Sequence, residues 1–154
     1  MDWKSVATPM ITNLKLLNDS SSNLVDPTIY IQLIGSLMYL VNTRTDICFA
    51  VNTLSQYMVD PRHVHMIAAK HVLRYMRGTY GYGLRYLSYW EVKLHRYTDS
   101  GWAWSAVDRK NTLGCCFNMG SCMISWLCRK QTSVALSTTK AKYIAACGAS
   151  KEAV

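Results

Sequence analysis

Asp99 is the residue whose type and position best fit metal-assisted chemistry. It follows Tyr97 and Thr98 at the end of a predicted strand, where an acid is commonly placed to hold a divalent metal. Cleavage of a phosphodiester by this route needs several carboxylates, because two cations must be held and the phosphate charge offset. After Asp99 the sequence offers only Asp108 and Glu152 as further acids. This count argues against hydrolysis by these residues alone.

A second candidate feature is a row of cations on a predicted helix. Lys70, Arg74 and Arg77 are spaced by four and three residues, which places them along one helical face. Such a row fits the phosphate backbone of a nucleic acid. A solvated helix face is an equal alternative, because rows of this kind are common on basic proteins.

Two basic pairs lie near tryptophans in the sequence. Arg109 and Lys110 are predicted in a turn, and Arg129 and Lys130 at the end of a strand. The neighbouring tryptophans are Trp102, Trp104 and Trp126. Cations beside aromatic surface suit nucleic-acid binding. For Trp126, which lies inside a predicted strand, packing in the core is the favoured interpretation.

Other metal or nucleophilic chemistry is poorly supported by the spacing. His63 and His65 are two residues apart and turn to different faces of a helix, and His71 follows on the same helix. The cysteines lack the two-residue gap of a zinc site and are interpreted as small, reduced, buried hydrophobes. They are Cys48, Cys115, Cys116, Cys122, Cys128 and Cys147. We therefore expect no cofactor in this chain on these grounds.

The composition is that of a basic, folded protein. The 154 residues include 17 Lys and Arg against 9 Asp and Glu, a formal charge of +8, and half are hydrophobic. This excludes disorder as the default and favours anionic partners. The uncharged residues 27–43 include polar side chains and fall short of the roughly 20 apolar residues of a membrane span. Without a signal-like N-terminus, we expect an intracellular protein, cytoplasmic or nuclear, with no membrane partner.

Helical periodicity predicts a three-helix bundle over residues 26–79, after a lead-in segment and linker over residues 1–25. Asp26-Pro27 is a helix start, because the carboxylate caps free amides and proline at the first position loses no bond. The signal recurs at Asp60-Pro61, and Gly78 suits a left-handed C-terminal cap. The residues predicted to face inward are Tyr30, Ile34, Leu37, Met38 and Val41, then Ile47, Ala50, Val51, Leu54, Tyr57 and Met58 of a helix beginning near Thr45, then Val64, Ile67, Ala68, Val72, Tyr75 and Met76.

From residue 80 the period becomes alternating, which predicts a second domain over residues 80–154. The predicted strands are 83–87, 92–98, 114–118 and 123–128, the last two joined through residues 119–121. Residues 138–149 return to helical spacing with Ser137 as the N-cap. The predicted fold class is α+β, a small three-helix bundle followed by an incomplete antiparallel sheet with one helix.

Nine segments of the sequence, taken in order along the chain, form a recognisable pattern. These segments are Tyr30–Leu40, Thr43–Asn52, His65–Gly78, Tyr97–Ser100, Asp108–Lys110, Ile124–Trp126, Arg129–Gln131, Val134–Ser137 and Ala141–Ala145. Together they resemble the pol polyprotein of copia-type long-terminal-repeat retrotransposons over nearly the whole chain. The resemblance implies the end of the reverse transcriptase, its helical thumb and connection, and the first half of a ribonuclease H-like domain.

The resemblance also implies roles for particular positions. Asp99 matches the first metal-binding aspartate of a ribonuclease H site, where two magnesium ions act on the RNA strand of an RNA/DNA hybrid. The next acid of that family is a glutamate, and Lys142 occupies its position. An ammonium there repels a metal instead of binding it. The remaining acids of the family lie beyond Val154 and the polymerase residues lie upstream, so neither reaction has its complete set here.

We therefore expect a truncated, degenerate fragment of a reverse transcriptase and ribonuclease H, inactive and with weak, non-specific affinity for nucleic acid. Thr45, where the family has proline, and Gly101 with Trp104 after the aspartate are further departures from its pattern. Two alternatives stay open, a non-catalytic nucleic-acid-binding module, or ribonuclease H activity with a partner chain that supplies the missing acids. An incomplete sheet also leaves one face uncovered, which predicts self-association or a protein partner.

Overall fold

The computed structural model describes residues 4–11, 16, 23–89, 91–100, 110 and 112–152. The chain divides into two compact units, Met1–Gly83 and Leu84–Val154. The first unit holds the helices α1 (Pro27–Leu40), a short 3₁₀ helix (Thr45–Ile47), α2 (Cys48–Ser55) and α3 (His63–Gly78). The second holds the strands β1 (Leu94–Ser100), β2 (Thr112–Met119) and β3 (Cys122–Lys130), followed by α4 (Thr138–Glu152). This order confirms the predicted α+β class.

Helix α1 begins where the sequence predicts. The backbone amide of Thr28 donates to Asp26 Oδ1 at 2.8 Å, and Pro27 occupies the first turn. Tyr30 is fully buried and its hydroxyl donates to the Leu54 carbonyl of α2 at 2.9 Å. Met38, predicted to face inward, is half exposed, because the buried stripe of α1 is narrower than the sequence pattern indicates.

Helix α3 begins two residues later than predicted. Asp60 does not cap it and instead accepts from the Arg62 guanidinium at 2.9 Å. Arg62 is the N-cap residue, and its backbone amide donates to His65 Nδ1 at 3.0 Å. The His65 ring is fully buried and stacks on Tyr57 with centroids 3.9 Å apart. Ile67, predicted to face inward, is 48% exposed, so this prediction is wrong.

The N-terminal residues pack on α3 through Gly78. The predicted left-handed cap at Gly78 is wrong, because the residue lies inside the helix and Thr79 follows with φ of −128°. A Cβ atom at position 78 would lie 2.9 Å from the Ser5 Cβ, so glycine is required here by close approach. Val6 and Met10 pack against the core, and the Leu16 side chain is buried in it.

A buried arginine joins the end of α3 to the segment after α1. Arg44 is 6% exposed, and its Nη1 and Nη2 donate to the carbonyl and hydroxyl oxygens of Thr79 at 2.9 Å and 2.7 Å. Its Nε and Nη2 also donate to Asp46 at 3.0 Å and 2.7 Å. The Tyr75 hydroxyl donates to the same carboxylate at 2.7 Å. The Arg44 hydrogen bonds lower the pKa of Asp46, and the Asp46 hydrogen bond raises the pKa of Arg44.

The second unit is built on a three-stranded antiparallel sheet in the order β1-β2-β3. The predicted strands 92–98, 114–118 and 123–128 are confirmed, and β2 turns into β3 at Gly120, which has φ of 60°. Between Phe117 and Asn118 the register skips Ile124, which marks a bulge in β3.

The predicted strand 83–87 is wrong. This segment is irregular, because side-chain contacts with the hairpin replace the backbone pairing of a strand. The Tyr86 hydroxyl donates to the Met123 carbonyl at 2.7 Å, and the Leu87 amide donates to Ser121 Oγ at 3.0 Å. The segment is therefore held at the β2–β3 hairpin without adding a fourth strand.

Helix α4 begins at the predicted cap. The Lys140 amide donates to Ser137 Oγ at 3.2 Å. The side chains that face the sheet are small, and a Cβ atom at Gly148 would lie 3.2 Å from Leu113. The buried residues between α4 and β2 are Leu113, Cys115, Phe117, Ala141, Ala145 and Ala149. No helix within the described ranges has the length and apolar character needed to span a lipid bilayer.

Replacing Arg44 tests whether its contacts hold the helical unit together. Arg44→Met removes the guanidinium donors from the Asp46 carboxylate and from both Thr79 oxygens, while the Tyr75 hydroxyl still donates to Asp46. We expect a loss of about 2–4 kcal/mol in the free energy of unfolding, measured by urea denaturation. The matched control is Lys70→Met, which removes one exposed cation from the same unit and should cost less than about 0.5 kcal/mol. Equal losses in the two variants would contradict this role for Arg44.

Acidification should destabilise the protein through His65. The pKa of His65 is lowered from its usual 6.5, mainly because the side chain is buried. As the pH falls, this imidazole therefore binds a proton more readily in the unfolded chain than in the folded one. Stability should therefore fall as the pH drops below about 6.5, and the lowered pKa of Asp46 should add a further loss below about 4. The urea midpoint at about pH 7.5 should exceed that at about pH 5.5. His65→Gln should reduce the difference between the two urea midpoints, whereas His63→Gln, which changes an exposed histidine of the same helix, should leave it unchanged. Equal midpoints at the two pH values in the unmodified protein would refute the expectation.

Candidate nucleic-acid and metal residues

Asp99 lies on the face of the sheet that α4 does not cover. Leu113, Cys115 and Phe117 are buried against α4, and their β1 partners are Ser100, Thr98 and Arg96 respectively. Because side chains alternate between faces along a strand, Asp99 belongs to the opposite face, together with Tyr97 and His95. Its β2 partner is Gly114, and its side chain is exposed.

Two contacts fix the direction of α4 across the sheet. Arg96 Nη1 on β1 donates to Ser150 Oγ, near the C-terminal end of the helix, at 3.1 Å. Gln131, just after β3, donates through Nε2 to the Ala141 carbonyl at 3.2 Å. The C-terminal end of β3 lies beside the start of β2, and so does the Asp99 end of β1. The first turns of α4 therefore lie at the same end of the sheet as Asp99.

Lys142 follows Ala141 and is placed at that end of the sheet. Its side chain is exposed, so water screens its charge more than it would screen that of a buried amine. Lys140, in the first helical turn, adds a second cation. At this end of the sheet, the exposed carboxylate of Asp99 thus belongs to one face, and the positive charge of α4 lies over the other.

Among the residues that the structure describes, the donors around Asp99 do not fit a site for two magnesium ions. Such a site needs several carboxylate oxygens at once. Within the described ranges, no three His, Cys, Asp or Glu side chains come together as metal ligands. Asp99 has Gly114 opposite it, and Lys142 brings a cation to this end of the sheet.

Two of the three cations in the predicted row on α3 are exposed. Lys70 and Arg77 are exposed, whereas Arg74 is partly buried. Arg74 Nη2 lies 3.2 Å from His71 Nδ1, and His71 Nε2 lies 2.9 Å from the Thr8 carbonyl. Since a carbonyl only accepts, Nε2 carries the hydrogen and Nδ1 accepts from Arg74. The N-terminal segment thereby orients the middle cation of the row.

The other predicted nucleic-acid contacts are divided between the two faces of the sheet. Arg129 is exposed and pairs with Leu113, while the partly buried Lys130 is the next residue and belongs to the opposite face. Lys110 is partly buried, and Arg109 lies outside the described residues together with Trp102 and Trp104. Trp126 is half-buried, opposite Cys116, on the face away from α4. It is therefore not part of the core between α4 and the sheet.

The sequence interpretation missed a stretch of the chain that is rich in exposed tyrosines. Five of the ten tyrosines in the chain fall within residues 80–97. They are Tyr80, Tyr82, Tyr86, Tyr89 and Tyr97, and the least exposed of them, Tyr97, is 57% exposed. The high frequency of tyrosine in this stretch is visible in the sequence. It was overlooked because residues 83–87 were interpreted as a strand.

Several known proteins that are similar to this chain come from transposons. It is 43% identical over 149 residues to the retrovirus-related Pol polyprotein from transposon RE2 of Arabidopsis thaliana, which covers 97% of the chain and 10% of that protein. It is 38% identical over 158 residues to that from transposon TNT 1-94 of Nicotiana tabacum, at 98% and 12% coverage. The chain belongs to the copia-type Pol polyprotein family. It thus spans about a tenth of the length of these Pol polyproteins.

A shorter relative of this Pol segment is matched over most of its length. The secreted RxLR effector protein 161 of Plasmopara viticola is 41% identical over 126 residues, which covers 81% of the chain and 89% of that protein. No protein-family model matches the chain. No solved structure matches it either.

Proposed function

We propose that this copia-type Pol segment is a degenerate part of the reverse transcriptase and ribonuclease H region that has no catalytic activity of its own. It retains weak, sequence-independent affinity for nucleic acid. The observation that carries the proposal is Lys142 in the first turns of α4, at the same end of the sheet as Asp99, at the position where the family has a second acid.

The loss of catalysis follows from the sign of the charge at position 142. Two-metal cleavage requires each cation to be held by carboxylates that offset its charge. Lys142 replaces a negative ligand with a positive group, so the position loses a ligand and gains repulsion. Its exposure weakens this repulsion through screening but does not return a ligand to the site.

The affinity for nucleic acid rests on two basic surfaces. Helix α3 contains three cations and no acidic residue, and Lys70 to Arg77 spans about 10 Å along the helix axis. The second unit has ten Lys and Arg against four Asp and Glu, whereas the first has seven against five. Contacts of this kind act on phosphates without reading sequence, and their strength falls as salt rises.

A hybrid-cleavage assay tests the absence of catalysis. We expect no cleavage of an RNA/DNA hybrid in the presence of Mg²⁺, because Asp99 is not joined by a second carboxylate at position 142. The matched control is Asp99→Asn, which should give the same background as the unmodified chain. Cleavage by the unmodified chain that disappears in Asp99→Asn would contradict this part of the proposal.

The salt dependence of binding tests the role of α3. Duplex affinity, measured by fluorescence anisotropy, should fall steeply between about 50 and about 200 mM salt. Replacing Lys70, Arg74 and Arg77 together by glutamine should reduce the slope of log K against log salt by up to about 3. A triple replacement of Lys140, Lys142 and Lys151 on α4 matches the change in charge and measures any contribution from net charge alone. Binding that is absent, or independent of salt, rejects the interface.

A further inference from the structure

The face of the sheet away from α4 presents aromatic side chains at regular positions. On β1, His95 and Tyr97 share this face and both are exposed. Their β2 partners are Asn118 and Cys116, and Trp126 of β3 lies opposite Cys116. The only described helix of this unit, α4, packs on the other face. We call the face with His95, Tyr97 and Trp126 the aromatic face.

A further tyrosine is held at the β3 side of the same sheet. The hydroxyl of Tyr86 donates to the Met123 carbonyl, and Met123 pairs with Asn118, whose β1 partner is His95. The Tyr86 hydroxyl therefore lies at the level of His95 along the strands, and the residue is 59% exposed. The hydrogen bond restrains the ring before any ligand arrives, which lowers the entropic cost of binding.

Exposed cations lie at the His95 end of this surface, whereas the partly buried Lys130 lies at the end that carries Asp99. Arg85 and Lys93 are exposed near Tyr86 and His95 in the chain, and Lys93 is also paired with Glu91 at 2.8 Å. Asp99 lies at the other end of β1 on the aromatic face, where it repels phosphate. A bound polyanion should therefore centre on His95 and Tyr97 and not extend towards Asp99.

From this arrangement we infer that the aromatic face binds single-stranded nucleic acid by stacking unpaired bases on Tyr97, with Tyr86 and His95 as neighbouring contacts. Exposed aromatic rings beside cations on an open sheet face accept bases of any sequence, because every base has a π-face. Paired bases inside a duplex are already stacked and cannot reach these rings. The excess of ten cations over four acids in this unit favours a polyanion over a neutral or basic protein as the occupant.

This site is separate from the phosphate contacts proposed for α3 and uses a different interaction. Stacking discriminates single strands from duplexes, whereas a row of cations binds both. The phosphate contacts of α3 and the stacking site on the aromatic face can therefore be disproved independently. Loss of the α3 contribution would appear as an unchanged salt slope in its triple variant, and loss of the aromatic site would appear as unchanged affinity in a variant of Tyr97.

The test compares variants of Tyr97 by fluorescence anisotropy with oligothymidylate and oligouridylate of about 12 nucleotides and a duplex of the same length. Tyr97→Leu should weaken binding of the single strands about fivefold or more and leave duplex binding and the salt slope unchanged, because no charge is removed. Tyr97→Phe should retain the affinity, since it keeps the ring. The matched control is Tyr143→Leu, which alters a tyrosine on α4 that is 76% exposed and should change nothing.

The outcomes separate the alternatives. Equal effects of Tyr97→Leu and Tyr143→Leu, a loss in Tyr97→Phe as large as in Tyr97→Leu, or equal losses for duplex and single strand would each overturn the inference. A difference between oligothymidylate and oligouridylate, with both weakened in Tyr97→Leu, would support it and identify the preferred strand. Circular dichroism and a thermal melt of each variant confirm that the fold is retained, and Tyr97→Phe keeps the test valid if Tyr97→Leu is unstable.

Discussion

The buried guanidinium of Arg44 is the interaction on which the helical unit depends. A cation that is almost fully removed from water is costly unless its donors are matched by acceptors. Asp46 and both oxygens of Thr79 supply those acceptors, and the Tyr75 hydroxyl satisfies the same carboxylate. The Thr79 carbonyl follows the last turn of α3, where the helix dipole favours a positive charge. The position of α3, and with it the row of cations on its surface, is set by this contact.

In the second unit the corresponding constraint is the alternation of side chains across the sheet. Burial of Cys115 and Phe117 against α4 commits one face to packing and leaves the other to Tyr97 and Asp99. The small residues of α4, with Gly148 against Leu113, let the helix lie close to the strands. The aromatic side chains and the family's aspartate therefore occupy the same open surface for one geometrical reason.

Local signals in the sequence predicted those features that a few neighbouring residues decide. The caps at Asp26 and Ser137 are correct because side chain and amide lie within three residues of each other. The start expected at Asp60 is wrong because the imidazole of His65, an uncommon partner for an N-terminal amide, takes that role. Spacing alone put Lys70, Arg74 and Arg77 in one row, and in the structure all three belong to α3, where Lys70 and Arg77 are exposed and Arg74 is partly buried. It could not reveal that Arg74 is held through His71 by Thr8, because that contact spans 63 residues.

The order β1-β2-β3 has a consequence for handling the protein in solution. Within the described residues, β1 and β3 each pair with β2 and with no other strand, so they are the edge strands of this sheet, the position at which another extended chain adds to a sheet. The bulge at Ile124 bends β3, and the basic pair Arg129-Lys130 adds charge at its end, and both features oppose such pairing. High protein concentration favours association between chains, and acid pH weakens the packing of the fold. Under these conditions, pairing between strands of different chains would compete with the native hairpin.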